Sequence, residues 1–264
     1  VAHRAIPAAL LNATTGIKAI DEGITQLYST GYMHNHLRMY VASVACNIAQ
    51  AHWRVPSRWL YYHLADHDIA SNTLSWQWVA GTFSVKKYYC NQQNINRYCH
   101  TNQGGTFLDH TYEELPHMPV PQVMQEVAEM QLTTKLPAYD MPEFDHSKPL
   151  LLYNAYNLDP LWRDDMDANR LLLLEPRHYQ QYPVSEKVLT FICSLAQNVR
   201  GLKIYTGHVE DVLGTGEFAG VYSKAHPAFM HYPGTKDEPQ WMFGQVPFVK
   251  GSFMSYWKEC EKYF

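Results

Sequence analysis

The sequence feature that most constrains this chain is a group of polar residues set within two apolar, aromatic-rich stretches, Thr30–Met39 and Leu64–Trp78. The group consists of one arginine, two aspartates and two asparagines: Asn35, Arg38, Asp66, Asp68 and Asn72. Buried polar groups are costly unless they hydrogen-bond to one another or to a ligand. The pattern therefore predicts either an internal Arg–Asp pair that fixes helix packing, or the polar edge of a site for a planar heterocycle.

Helical periodicity puts the two stretches on separate helices. Apolar residues recur at helical spacing from about His34 to Gln50, and Arg38 lies beside that apolar stripe. A second helix is predicted over about Ser71–Ala80. The spacing therefore sets Arg38 and Asn72 on separate helices that can face each other.

The first stretch reads Thr-Gly-Tyr-Met-His-Asn-His-Leu-Arg-Met and resembles a signature of DNA photolyases and cryptochromes. The second, from Asp66, resembles that family's Asp-x-Asp-x-Ala-x-Asn-x-x-x-Trp-Gln-Trp block. The segment Thr14–Leu27 is similar to the helix that precedes the first signature. The three blocks stand in the family's order and together cover roughly residues 13–80.

This resemblance implies a flavoprotein that binds FAD and either responds to light or repairs DNA photolesions, with deoxyribodipyrimidine photolyase-like activity if it is an enzyme. The residues implied beside the flavin are Arg38, Asp66, His67, Asp68 and Asn72. Of these, Arg38 and Asp66 are implied to form an ion pair, which we expect across two helices. The positions implied for an electron relay are Trp53 and Trp76. The positions implied for a cavity that receives a flipped pyrimidine dimer are Asn35, His36, Met39 and Trp78.

Two features set this chain apart from the family pattern. Repair enzymes of the family commonly have arginine where this chain has His36, which weakens a phosphate contact. The half of the family's flavin site that holds the diphosphate and adenine has no counterpart in the sequence. We therefore expect weak FAD binding by the isolated chain and completion of the site by another segment or chain. The alternative is a non-catalytic binding or scaffold domain that keeps the fold without flavin.

The second half of the sequence has a different pattern. Short apolar runs at Leu150–Tyr153, Leu171–Leu174 and Leu202–Tyr205 are typical of buried parallel strands. Ser185 begins an amphipathic helix between the last two runs, so the order is strand, helix, strand. The pattern predicts a small α/β part of the βαβ type.

The fold class expected is α+β or α/β multidomain, with a photolyase-like all-helical N-terminal part followed by the small α/β part. The helical, FAD-binding-like domain is predicted over residues 1–115 and the α/β domain over residues 150–264. Six prolines within residues 116–149 indicate a linker, with one short helix near Gln122–Gln131.

Composition limits the partners and the compartment. A formal net charge of -4 argues against strong non-specific binding to nucleic acid, so DNA is expected as a weak partner only. Five cysteines, an odd number in a chain of 264 residues, indicate a reduced protein of the cytoplasm. No apolar run reaches membrane-spanning length, so no membrane partner is expected. Cys90, Cys99 and His100 lack a Cys-x-x-Cys pair, so no metal site is predicted.

Overall fold

The computed structural model describes residues 1–247 and 253–264. The first half is built mainly of helices that pack around one apolar core. These helices are α1 (Ala8–Leu11), α2 (Lys18–Thr30), α3 (Asn35–Ser43), α4 (Arg54–His63), α5 (Ile69–Ala80) and α6 (Gln92–Cys99). A π-helical stretch, Val44–Ile48, continues directly from α3. The helix expected from His34 to Gln50 therefore exists, but its last turns are π-helical.

One strand pairing interrupts the helical part. Strand β1 (Ile6–Pro7) pairs antiparallel with β2 (Val127–Ala128), which lies in the predicted linker. The N-terminal part is therefore helical except for β1, and not all-helical as expected. The same pairing explains why the helix predicted near Gln122–Gln131 is wrong. Only a 3-10 turn forms there, at Gln122–Met124, and the following residues extend to pair with β1.

Helix α6 has no counterpart among the predicted elements. Its sequence, Gln-Gln-Asn-Ile-Asn-Arg-Tyr-Cys, contains one fully buried aliphatic side chain, Ile95. The side chain of Asn91 accepts a hydrogen bond from the backbone N–H of Asn94 (2.9 Å) and caps the first turn. A capped polar helix with so little apolar periodicity gives a weak sequence signal.

The second half contains a five-stranded parallel sheet, and the three predicted apolar runs form three of its strands. In spatial order its strands are β5 (Leu202–Thr206), β4 (Asn169–Leu174), β3 (Leu150–Tyr153), β6 (Val221–Lys224) and β7 (Thr235–Asp237). The α-helices of this half are α7 (Pro176–Gln181), α8 (Glu186–Ala196), α9 (Val209–Leu213) and α10 (Phe253–Cys260). Helix α8 connects β4 to β5 and begins at Ser185, whose side chain accepts from the Val188 N–H (3.4 Å).

Both faces of this sheet are covered by apolar groups. All four side chains of β3 are completely buried, as expected of a strand with packing on both sides. Leu151 and Tyr153 pack on the face covered by α8, and Leu150 and Leu152 pack on the face covered by α9. Adjacent side chains of one strand therefore enter two different cores.

Helix α4 joins the helical part to the sheet part. Tyr61 of α4 packs in the same buried cluster as Leu151 and Tyr153. The Ser185 N–H donates to the Tyr62 carbonyl oxygen (2.8 Å), and a guanidinium nitrogen of Arg58 donates to the Gln181 carbonyl oxygen (2.9 Å). These contacts fix α4 against the start of α8.

Two largely buried histidines lie near these contacts, His63 at the end of α4 and His178 on α7. Burial lowers the pKa of each imidazole to about 4. Both are therefore neutral in the folded chain at pH 6, whereas a histidine of the unfolded chain titrates near 6.5.

We expect acid to destabilise the fold through these histidines. Between pH 6.5 and 4 the unfolded chain binds more protons, so the free energy of unfolding falls as the pH falls. His178 alone contributes up to about 3 kcal/mol to that loss. Urea titrations at several pH values test this, with a His178→Gln variant, whose pH slope should be shallower. An unchanged slope in that variant would contradict the assignment.

Candidate functional site

The predicted Arg38–Asp66 pair is present. Arg38 lies on the first turns of α3, and Asp66 lies in the turn between α4 and α5. Nη2 of Arg38 donates to both carboxylate oxygens of Asp66, at 3.0 and 2.9 Å, and Nε donates to the Met33 carbonyl oxygen at 2.7 Å. The pairing is confirmed, but the Asp66 side chain is 57% exposed and so the pair is not internal.

Helix α5 supplies the next two polar groups. Asp68 caps it, since one carboxylate oxygen accepts from the Ser71 N–H at 2.6 Å. One turn into the helix, the Asn72 amide nitrogen donates to the Ser57 carbonyl oxygen of α4 at 2.9 Å. That bond fixes which end of the amide is nitrogen. Oδ1 of Asn72 therefore has no hydrogen-bond donor within the part of the chain that the structure describes.

A cavity of about 800 Å³ connects these groups, and we call it the flavin cavity after the cofactor implied for its residues. Among its walls are most of the side chains that the sequence singles out: Asn35, Arg38, Met39, Asp66, Asp68, Asn72, Trp76 and Trp78. The polar groups come from the turn before α5, its first turns and the start of α3. The aromatic groups come from the end of α5. The cavity thus offers hydrogen-bonding groups and aromatic surface to one ligand.

Three of the singled-out residues lie elsewhere. His36 stacks between His34 and Tyr98, with ring centroids 5.3 and 4.9 Å away. His67 is buried against Tyr61, and its Nδ1 hydrogen-bonds with the Leu64 carbonyl oxygen at 3.0 Å. Trp53 borders a second, smaller cavity on the other flank of α5. None of these three side chains lines the flavin cavity.

His67 departs most from its expected place. Burial is the main cause that lowers the pKa of this imidazole. Because the neutral ring is packed against Tyr61 and bonded to the Leu64 carbonyl oxygen, it supports the turn between α4 and α5. Its Nε2 is buried without a hydrogen-bond partner among the described residues.

Other residues of the cavity were not anticipated from the sequence. Ser71 and Ser75 add hydroxyl groups along α5, and Leu74 and Phe83 add apolar surface at the rim. Phe253 at the start of α10 also lines it, and its side chain is 70% exposed. The serines follow from helical spacing with Asn72 and Trp76, whereas Phe253 lies far away in sequence and carries no local signal.

A charged cluster at the carboxyl end of β4 was likewise not anticipated. The buried carboxylate of Glu175 bonds to Nε2 of His231 at 2.7 Å and lies 3.3 Å from a guanidinium nitrogen of Arg177. Within residues 1–247 and 253–264, one set of three potential metal ligands comes within 4.8 Å of one another: Glu175, His208 and Glu210. Arg177 pairs with both glutamates of this set, so a cationic side chain already occupies the place beside their carboxylates.

The cysteines do not form a second such set. All five are free thiols in the structure: Cys46, Cys90, Cys99, Cys193 and Cys260. Burial raises the pKa of the Cys90 thiol to about 12, which keeps it protonated and unreactive.

Among the described residues, no helix is both long and apolar enough to cross a membrane.

Comparison with known proteins defines the family. The family model for the FAD binding domain of DNA photolyase matches residues 6–150. A deoxyribodipyrimidine photo-lyase of Alkalihalophilus pseudofirmus is 33% identical over 142 residues, which are 51% of this chain and 29% of that protein. One from Halobacterium salinarum is 30% identical over 151 residues, covering 54% of this chain and 31% of that protein. One from Escherichia coli is 43% identical over 68 residues, covering 26% and 14%.

The flavin cavity and its helices are therefore those of a flavoprotein. The chain belongs to the DNA photolyase family through its FAD-binding domain, and FAD is the cofactor of that family. The similarity spans less than a third of each of these three relatives. A cryptochrome of Synechocystis is 29% identical over 44% of this chain and 24% of its own, but its TM-score of 0.33 is too low to support a structural argument.

The exposure of Asp66 predicts a small energetic value for its pair with Arg38. Exposed ion pairs contribute up to about 1 kcal/mol to stability. A double-mutant cycle with Arg38→Ala and Asp66→Ala should therefore give a coupling energy below about 1 kcal/mol, measured by urea unfolding. A coupling of about 3 kcal/mol would show instead that the pair is shielded from solvent.

Proposed function

We propose that the flavin cavity holds the isoalloxazine ring of FAD, with its polar edge toward Arg38, Asp66 and Asp68. The observation that carries this proposal is one cavity that combines these charged groups with the buried indole of Trp76. Its volume, about 800 Å³, lies within the range of small-molecule sites. Ligand sites of this kind combine apolar walls with a few fixed polar groups.

Asn72 gives the most specific support. Its amide nitrogen is held by the Ser57 carbonyl oxygen, which leaves Oδ1 as a fixed acceptor. Such an acceptor suits a ring N–H of a reduced flavin and adds no charge beside it. A side chain free to rotate would have to be ordered on binding, whereas this one is already ordered.

The phosphates of FAD have less support in this cavity. Arg38 is the one Lys or Arg among the described lining residues, and it is already paired with Asp66. A diphosphate needs several charge-assisted hydrogen bonds. We infer that another segment or chain supplies them, and that the chain by itself binds FAD weakly.

We further propose that the complete protein acts on DNA photolesions in a light-dependent reaction. Trp78, Leu74 and Phe83 form an exposed apolar rim on the flavin cavity, and Asn35 and Met39 line it as well. A flipped base is bound by stacking and by hydrogen bonds to its edge, and this rim offers aromatic surface for the stacking. Two relatives of this chain are named deoxyribodipyrimidine photo-lyase, and their name supports this proposal.

Photo-excited flavin supplies the electron-transfer chemistry in such a reaction. In this chain Trp76 lies in the wall of the flavin cavity, and Trp53 lies on the opposite flank of α5, half-buried. We assign them the roles of inner and outer positions of an electron relay. His36 lies outside the cavity and stacks on aromatic rings, so we assign it no direct contact with the lesion.

The same proposal divides the chain by role. Residues 1–115 would form the flavin-binding domain, residues 116–149 the linker and residues 150–264 a domain that braces α4. We place the protein in the cytoplasm, because its five cysteines are all unpaired and a reducing compartment keeps them so.

A scaffold function is the second candidate, and one observation favours it. The Asn72 amide holds α5 to α4 and the Asp68 carboxylate caps α5, so both residues have packing roles without any ligand. A scaffold of this kind keeps the polar cluster but binds no flavin at any concentration.

A titration of FAD into the full chain, followed by flavin fluorescence, separates the two candidates. We expect saturable binding with a Kd above about 1 µM, because the phosphates lack partners. Arg38→Ala should weaken it about ten- to a hundredfold, since it removes a charged hydrogen-bond donor. Asn72→Ala, which removes the free Oδ1 acceptor, should also weaken binding. Asn198→Ala, at an exposed asparagine outside the cavity, is its matched control. No saturable binding at millimolar FAD would support the scaffold function. Submicromolar binding would refute the inference that another segment or chain must supply the phosphate contacts.

DNA binding gives an independent test. We expect weak affinity for duplex DNA that is lost at about 0.2 M salt, because the net charge of -4 leaves few cations to replace counterions. DNA carrying a thymine dimer should bind better than undamaged DNA, and Trp78→Ala should abolish that preference. Trp241→Ala, another exposed tryptophan, is the control. Fluorescence anisotropy measures both effects. A preference that survives Trp78→Ala would contradict the proposed lesion cavity.

A further inference from the structure

A second cavity of about 420 Å³ lies on the other flank of α4 and α5. We call it the arginine cavity, after Arg54 and Arg58 in its wall. The helical part supplies most of its surface, and the end of α7 with the residues after it supplies the rest through Gln181, Tyr182 and Pro183. It is therefore a cleft between two parts of the chain, the kind of location where small-molecule sites often occur.

The arginine cavity is positively charged. Neither aspartate nor glutamate is among the described residues that line it. The Arg54 guanidinium makes no hydrogen bond or ion pair within residues 1–247 and 253–264. Arg58 is held in place by the bond from one nitrogen to the Gln181 carbonyl oxygen (2.9 Å), and its other N–H groups remain available. Two guanidinium groups without a competing carboxylate suit a phosphate, which they bind through forked hydrogen bonds.

Aromatic rings line the same cavity. The Trp53 indole is stacked with His52, with ring centroids 5.4 Å apart and planes 29° apart. The Tyr61 ring is fixed by the hydrogen bond between its hydroxyl and that of Tyr156 (2.7 Å), and Tyr182 adds a third ring. Fixed aromatic rings bind a planar base by stacking without a large cost in side-chain entropy.

We propose that the arginine cavity binds a mononucleotide, with its phosphate at Arg54 and Arg58 and its base among the rings of Trp53, Tyr61 and Tyr182. The volume of about 420 Å³ is near the lower end of small-molecule sites, which suits one nucleotide and not a dinucleotide. This site goes beyond the proposed FAD site, because it takes a second ligand of different charge in a different cavity.

The two cavities are neighbours, with the Asn72 side chain between them. Asn72 lines both, and its bond to the Ser57 carbonyl oxygen spans the contact between α5 and α4. A ligand that extended directly between α4 and α5 at this point would meet this bond. The nucleotide of the arginine cavity is thus a separate molecule and not the far end of the FAD.

Isothermal titration of adenosine 5′-monophosphate into the full chain tests the proposal, with adenosine and inorganic phosphate as partial ligands. We expect saturable binding of the monophosphate and binding at least tenfold weaker for each partial ligand. Arg54→Gln should weaken binding of the monophosphate about ten- to a hundredfold. Because the Arg54 side chain has no partner, this variant should fold normally. Arg200→Gln, at an exposed arginine between α8 and β5, is the matched control and should bind as the parent does.

Other outcomes overturn the proposal. Absence of saturable binding at millimolar monophosphate would show that the cavity is not a nucleotide site. Equal affinities for the parent and for the Arg54→Gln, Arg58→Gln double variant would place the ligand elsewhere. Arg38→Ala changes the flavin cavity alone, so it should leave monophosphate binding unchanged. A loss with Arg38→Ala would mean that the nucleotide occupies the flavin cavity.

Discussion

Both cavities depend on one hydrogen bond, from the amide nitrogen of Asn72 to the carbonyl oxygen of Ser57. It spans the contact between α5 and α4, and it turns the free oxygen of the amide away from α4. Asp68 determines where α5 begins, and Asn72 follows one turn later, so the cap and the amide are linked by helical spacing. A shift of α5 by one residue would move Asn72 about 100° around the helix and separate the two groups.

The sheet part contributes to the site through α4. Tyr61 is buried with the side chains of β3, and the backbone at Tyr62 accepts a hydrogen bond from Ser185 at the start of α8. The N-terminus of α8, itself capped by Ser185, therefore rests on the helix whose Ser57 holds Asn72. An α/β part that lies after the helices in sequence thus has a structural role in the cavities, whatever else it binds.

The sequence was sufficient where structure follows from local pattern. The apolar runs of β3, β4 and β5 are continuous because parallel strands are buried on both faces, and they were readable for that reason. Arg38 and Asp66 could be paired because their motifs occur together in the family. Local pattern could not reveal that β1 pairs with β2, that Phe253 reaches the flavin cavity, or that Gln181 and Tyr182 close the arginine cavity. Each of these contacts joins residues distant in sequence, and local periodicity does not report which distant segments meet.

The sequence also does not predict that Asp66 is exposed, and this exposure bears on the role of its pair with Arg38. Burial depends on the number of elements that pack over a group, and motif spacing does not report that number. The Arg38–Asp66 pair lies at the mouth of the flavin cavity, where solvent screens it. Its contribution to stability is therefore small, so packing does not explain the Arg38–Asp66 pair, whereas Asp68 and Asn72 keep their packing roles at α5.

The charges of the two cavities differ in sign and so favour different ligands. The flavin cavity has two carboxylates, Asp66 and Asp68, against one guanidinium, whereas the arginine cavity has two guanidinium groups and no carboxylate in its described wall. A phosphate near Asp66 and Asp68 would be repelled, and an uncharged ring with N–H groups would be accepted there. Beside Arg54 and Arg58 a phosphate is favoured instead, because it meets two positive charges and no negative one. Helix α5 thus separates a site for the ring of a flavin from a site for a phosphate, and Asn72 marks the boundary between them.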